Sequence, residues 1–133
     1  MSVGLDTSVV VRLLVGEPPE QAAAAWRLVD EHAGTREPVR IADLVVAETF
    51  FVLQHHYRVP TAEAIGALLE LVSDPRIAAD EASTRVLQTP GLVDAKPGFI
   101  DRLIHGRYHD DGAAMATFDK AAARLPNGRL LRA

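Results

Sequence analysis

The sequence predicts an α/β fold in which short parallel strands alternate with helices and the sheet is covered on both faces. Three observations carry this. Short strand-like runs recur near residues 3–5, 39–42, 76–79, 113–116 and 129–131. Between them lie stretches with helical spacing and helix start and stop residues. Apolar residues make up 48% of the 133 residues, enough for a real core in a single domain spanning 1–133.

Residues 3–5 read as a short buried strand. Residues 9–15 are ambiguous: Val9, Val10 and Val11 favour a strand, while Asp6-Thr7-Ser8 offers a helix N-cap and Gly16 a stop. Residues 18–33 are Ala-rich, with Glu17 and Glu20 at the front, and predict a helix. After the strand at 39–42, Asp43 reads as the N-cap of a helix running to about residue 57. Residues 60–73 place Ile65, Leu68, Leu69 and Val72 on one helical face, ended by Asp74-Pro75. A strand at 76–79 and a helix at 81–89 follow, then a loop at 91–98 with two prolines. Residues 99–108 predict a helix, Asp110-Asp111-Gly112 a turn, and 113–116 a small-residue strand. A short helix after Asp119 and a turn at Pro126-Asn127-Gly128 lead into the last strand at 129–131.

The net charge is −4, from 14 Lys+Arg against 18 Asp+Glu. A protein that only binds nucleic acid is usually basic, because its affinity comes from neutralising phosphates. A nuclease that holds divalent cations can be acidic, needing carboxylates at its site and only a local basic patch. No apolar stretch is long enough to span a bilayer. The first residues lack the pattern of a secretory signal, and cysteine is absent. The expected location is cytoplasmic.

Four carboxylates stand in apolar surroundings. Asp6 interrupts two apolar runs. Glu48 has Leu44, Val45, Phe51 and Val52 as its helical neighbours and no Lys or Arg on that face. Asp101 falls in the first turn of its helix among Phe99, Ile100, Leu103 and Ile104, and Asp119 follows a strand. Each has an ordinary explanation: N-caps for Asp6 and Asp119, a dipole-favoured first-turn acid for Asp101, an exposed helix edge for Glu48. Two of them, however, follow strands, on the side where parallel sheets place their ligands. Crowded carboxylates raise one another's pKa, and a divalent cation relieves that repulsion. Hard oxygen donors without thiols suit Mg²⁺ or Mn²⁺.

The runs "GLDTSVVVRLL", "DLVVAETFFVL", "FIDRLIH" and "ATFDKAAARLP" resemble, in order and approximate spacing, the PIN domain of VapC-type toxin ribonucleases. The resemblance spans nearly the whole chain, and "LDTS" and "TFD" are its most specific pieces. It implies an α/β/α sandwich around a short central parallel sheet, a helix for residues 9–14, and an acidic site that binds Mg²⁺ or Mn²⁺ and hydrolyses RNA. It maps the catalytic acids to Asp6, Glu48, Asp101 and Asp119, with Asp6 and Asp101 as direct metal ligands and Ser8 and Thr117 as small polar neighbours. It also implies a homodimer and a cognate VapB-like antitoxin. Many relatives carry a further acid where this chain has Gly98, which implies a leaner metal site or reduced activity; Asp94, on the loop side, is left unassigned.

RNA would need basic contacts near the acids, and Arg12, Lys96, Arg102, Arg107 and Lys120 are close in sequence. Two further readings stand beside the nuclease: a catalytically weak PIN-fold binding module, and a receiver-like signalling module with Asp43 as a poor candidate phospho-acceptor. The adjacent His55 and His56 point about 100° apart on a helix and do not chelate. His105 reads as a surface histidine, and Trp26 as core or interface.

Overall fold

The computed structural model describes residues 1–133. The chain is mixed α/β, with seven helices and short strands that all pair in parallel. Strand β1 (Val39–Ile41) pairs with β2 (Ile77–Ala79), and β3 (Met115–Thr117) with β4 (Gly128–Leu130). The strands thus form two separate pairs where one central sheet is expected.

The first extended segment joins the β1–β2 pair through a single parallel bridge between Gly4 and Arg40. Leu5 N–H donates to the Arg40 carbonyl at 2.9 Å, and Arg40 N–H to the Val3 carbonyl at 2.9 Å. Because Arg40 also pairs with Ala78, the first segment lies on the opposite side of β1 from β2. Three neighbouring parallel segments therefore end side by side, and Asp6, Asp43 and Asp80 follow their carboxyl ends.

The ambiguous run at 9–15 is a helix, α1 (Thr7–Val15). Its ends explain why β-branched propensity loses. Asp6 caps the start, and Gly16 closes the end at φ +79, a left-handed conformation that glycine adopts without cost. Val10 and Leu13 then enter the core, where tertiary burial outweighs the small helix penalty of valine.

Helices α2 (Pro19–His32), α3 (Asp43–His55), α4 (Thr61–Val72), α5 (Glu81–Leu87) and α6 (Phe99–Asp110) match the expected helices within a few residues. A short 3-10 turn at Leu92–Asp94 occupies the proline-bearing loop. One core gathers Val10, Val29, Ile41, Val46, Leu68 and Phe99, with Phe50 edge-on to Phe99 at 5.1 Å. Trp26 packs half-buried against it, under the Arg76 guanidinium at 4.8 Å.

Met115 and Ala122 are buried outside that core. They belong to the local unit β3–α7–β4, in which α7 (Lys120–Ala123) forms the crossover. So short a crossover needs a close return: a Cβ at Gly128 would lie 2.6 Å from the Ala123 carbonyl oxygen, so only glycine fits there. This local closure supplies β3 with its partner on one edge. No helix is long and apolar enough to cross a membrane.

Two expectations are corrected here. Asp43 is the first residue of α3, not its cap; the N-cap position is Ala42. His105 is buried, with Nε2 2.7 Å from the Pro126 carbonyl and its ring stacked on His109, tying α6 to the C-terminal unit.

Candidate functional site

Asp6 ends the first extended segment and is exposed. Its Oδ1 accepts the Ser8 hydroxyl at 2.6 Å and the Val9 N–H at 3.1 Å, so all of its bonds fall on one oxygen. The Ser8 hydroxyl first, and the Val9 N–H after it, hold the carboxyl below its ordinary pKa; slight desolvation opposes them. Asp6 is therefore ionised at neutral pH with Oδ2 free. The apolar runs around it are explained: their side chains point into the core while the carboxylate caps α1 at the surface.

Asp119 repeats the arrangement after β3. Its Oδ1 accepts the Ala121 N–H at 3.0 Å, capping α7, and its own N–H donates to the Thr117 hydroxyl oxygen at 3.0 Å. Ser8 and Thr117 thus each bond to the acid beside them. Phe118, between Thr117 and Asp119, is 71% exposed.

Glu48 is exposed on α3 and forms no ion pair. Asp101 lies in the first turn of α6, exposed, and lines a groove with Phe51, Gln54, Leu92 and Gly98. Gly98 occupies the N-cap position of α6. The four acids do not gather into one cage: no three histidine, aspartate or glutamate side chains stand close enough to hold a metal ion together. A hydrated Mg²⁺ asks for less, one or two carboxylates completed by water and substrate phosphate. Asp6, charged and with one unengaged oxygen, fits that minimal requirement.

The candidate basic residues divide. Arg12 Nε donates to Gln21 Oε1 at 2.8 Å, and Arg102 Nε to the Pro97 carbonyl at 2.7 Å. Arg107 faces Asp43 at 3.6 Å and Asp111 at 3.8 Å. Lys96 and Lys120 are exposed without ion pairs. His55 stacks on Phe51 and His56 meets Tyr57 edge-on, so the two histidines are engaged separately.

A second acidic constellation on the same strand edge is not evident from the sequence. Asp43 Oδ1 accepts both the N–H of Ser83 at 3.0 Å and the Ser83 hydroxyl, while Asp80 Oδ2 accepts the N–H of Asp43 at 3.0 Å. Arg40 lies 3.5 Å from Asp80. With Oδ1 committed to Ser83 and Oδ2 buried behind Arg107, Asp43 is a structural acid, and the phospho-acceptor reading loses its candidate. Its sequence signal is only that Asp43 and Asp80 each closely follow a strand and lead into a helix.

No protein-family model and no curated protein matches the chain. What fold and site define is a mixed α/β protein in which Asp6 and Asp119 follow parallel extended segments while Glu48 and Asp101 stand on helices.

Proposed function

We propose that the protein is a metal-dependent endoribonuclease of the PIN type, the toxin of a type II toxin–antitoxin pair, acting on RNA with Mg²⁺ or Mn²⁺ in the cytoplasm. The observation that carries this reading is Asp6: an ionised carboxylate at a strand end, pinned through one oxygen by Ser8 and leaving the other free. The ordered resemblance of the four acidic segments to PIN domains supports it, as does their parallel α/β setting; the full α/β/α sandwich is part of the same proposal.

In this reading Asp6 and Asp101 would hold the cation, Glu48 would orient a water, and Asp119 would hold a further water or a second ion. Ser8 fixes the Asp6 carboxylate, and Thr117 fixes the backbone of Asp119. A divalent cation held there would supply a lowered water pKa for attack on phosphorus and a positive charge opposite the phosphate. Arg12, Lys96, Arg102, Arg107 and Lys120 are the cations available to the RNA backbone.

The partners in this proposal are a second copy of the chain and an antitoxin. Leu44, 80% exposed, with Ile104 and Tyr108 about half exposed, lines an apolar groove between α3 and α6, a surface suited to assembly.

A second reading is favoured by the capping bonds. Asp6 and Asp119 each already cap a helix, so a catalytically weak PIN-fold binding module would use them structurally. Cleavage of labelled single-stranded RNA in Mg²⁺ separates the two. Cleavage abolished by EDTA supports the nuclease; no cleavage together with no metal binding supports the module.

A further inference from the structure

A groove of about 340 Å³ runs between α1 and α2, starting at Ser8 and floored by Ala24, Ala25 and Leu28. Its volume lies within the roughly 300–1,000 Å³ of small-ligand sites. Ser8 is both a wall of this groove and the donor that fixes Asp6, so the groove opens directly beside the candidate catalytic acid. Arg12 lies one turn on from Ser8 along the same face of α1, about 6 Å at 1.5 Å per residue.

Arg12 keeps donors that the protein itself leaves unused. Its Nε is tied to Gln21 Oε1 at 2.8 Å, which fixes the plane of the guanidinium, while no hydrogen bond or ion pair engages its two terminal nitrogens. A pre-oriented guanidinium with a free fork matches a phosphate better than a mobile lysine does. The same Arg12 forms the wall of a neighbouring groove with Glu17, Pro18, Pro19 and Tyr57. Glu17 repels phosphate there, but it can accept from a base amino or imino group, and Tyr57 supplies an aromatic wall.

We propose that Arg12, shared by the α1–α2 groove and the neighbouring groove of Glu17 and Tyr57, centres a substrate-positioning subsite for single-stranded RNA: held by Gln21, it takes the phosphate adjoining the one at Asp6, and the flanking base lies between Tyr57 and Glu17 in the neighbouring groove. This rests on the nuclease reading for the position of the scissile phosphate, but the groove can be tested without it. Arg12 is a positioning residue, acting on the substrate away from the reacting atoms.

The test compares wild type with Arg12→Gln and Tyr57→Leu, using a fluorogenic single-stranded RNA and following KM, kcat and thermal midpoint together. KM should rise about tenfold in each variant, with kcat within about twofold and the midpoint nearly unchanged. Arg12→Gln should also reduce the slope of log affinity against log salt by about one. An unchanged KM with a lowered midpoint would show Arg12 to be a pin between two helices and overturn the subsite. If wild type cleaves no RNA, the nuclease reading fails by itself. Binding of fluorescein-labelled single-stranded RNA in EDTA then decides the groove: weaker binding in both variants supports it. Equal binding, or no binding by wild type, overturns it, the latter leaving a peptide as the occupant to try next.

Discussion

Asp43 and Asp80 cap each other's helices. The Asp43 carboxylate, from the first turn of α3, accepts the Ser83 N–H in the first turn of α5 at 3.0 Å. The Asp80 carboxylate, at the N-cap of α5, accepts the Asp43 N–H at 3.0 Å. Each acid satisfies a backbone donor that its partner's helix leaves open. Two chain segments about forty residues apart are joined at the edge where β1 and β2 end, beside the segment that carries Asp6.

Replacing Asp43 by Ala leaves the Ser83 N–H and hydroxyl, fully buried, without their acceptor. The loss should be about 2–3 kcal/mol of unfolding free energy, read from urea denaturation. Asp43→Asn should recover part of it, since an amide oxygen still accepts. A loss under about 0.5 kcal/mol in Asp43→Ala would contradict the cross-capping.

Thr49 presents the opposite case. It is fully buried in α3, and its hydroxyl has no hydrogen-bond partner. Valine has nearly the same shape and carries no such group. Thr49→Val should therefore stabilise the protein by about 1 kcal/mol, seen as a higher urea midpoint at constant slope. A lower midpoint would mean that the hydroxyl has a partner in solution.

Gly98 tests the missing acid. Its φ of −79 suits any L-residue, and a Cβ there would meet nothing within 4 Å. Gly98→Asp places a favoured residue at the N-cap of α6, which should add a few tenths of a kcal/mol. In the nuclease reading it also places a carboxylate three residues before Asp101, so less Mg²⁺ should be needed for half-maximal cleavage. An unchanged Mg²⁺ requirement would separate this position from the metal site.

Acid stability should depend on Asp74 more than on Asp6. The Arg76 guanidinium holds Asp74 below the ordinary carboxylate value of 3.8, through bonds of 2.7 and 3.0 Å. A depressed folded pKa gives stability that is present above 3.8 and lost as pH falls through the folded value. Arg76, raised by Asp74 first and Asp30 second, stays charged throughout and adds no slope there. Asp6 is exposed, so solvent screens its share. The stability that Asp74 contributes should be lost as pH falls below about 4, and this loss should be smaller in Arg76→Gln. An identical acid limb in that variant would contradict the assignment.

Much of the fold was legible because its signals are local. The Asp6 and Gly16 caps outweighed the valine run of α1, Asp119 announced α7, and alternating short runs announced parallel pairing. What escaped depends on contacts distant in sequence. The Asp43–Ser83 bond spans 40 residues and has no periodicity to betray it. His105 looked exposed because its partner, the Pro126 carbonyl, belongs to a unit whose position no local pattern gives. The division of the strands into two pairs also escaped, because no local pattern says which strands become neighbours. Of the candidate site, the bonds of Ser8 to Asp6 and of Thr117 to Asp119, and the place of those two acids after extended segments, follow from neighbours in sequence. Their mutual spacing could not, because it is set by how separate elements pack.

The most direct test of the Asp6 assignment is RNA cleavage by Asp6→Asn in Mg²⁺, measured beside wild type and Asp6→Ala. Asn retains a cap on α1, so its stability should stay close to wild type, whereas Ala should lose about 1 kcal/mol. Metal-dependent cleavage that disappears in the folded Asn variant would show that the charge of Asp6 serves catalysis beyond its capping bond. Cleavage at the wild-type rate in Asp6→Asn would contradict this and reduce Asp6 to the cap of a helix.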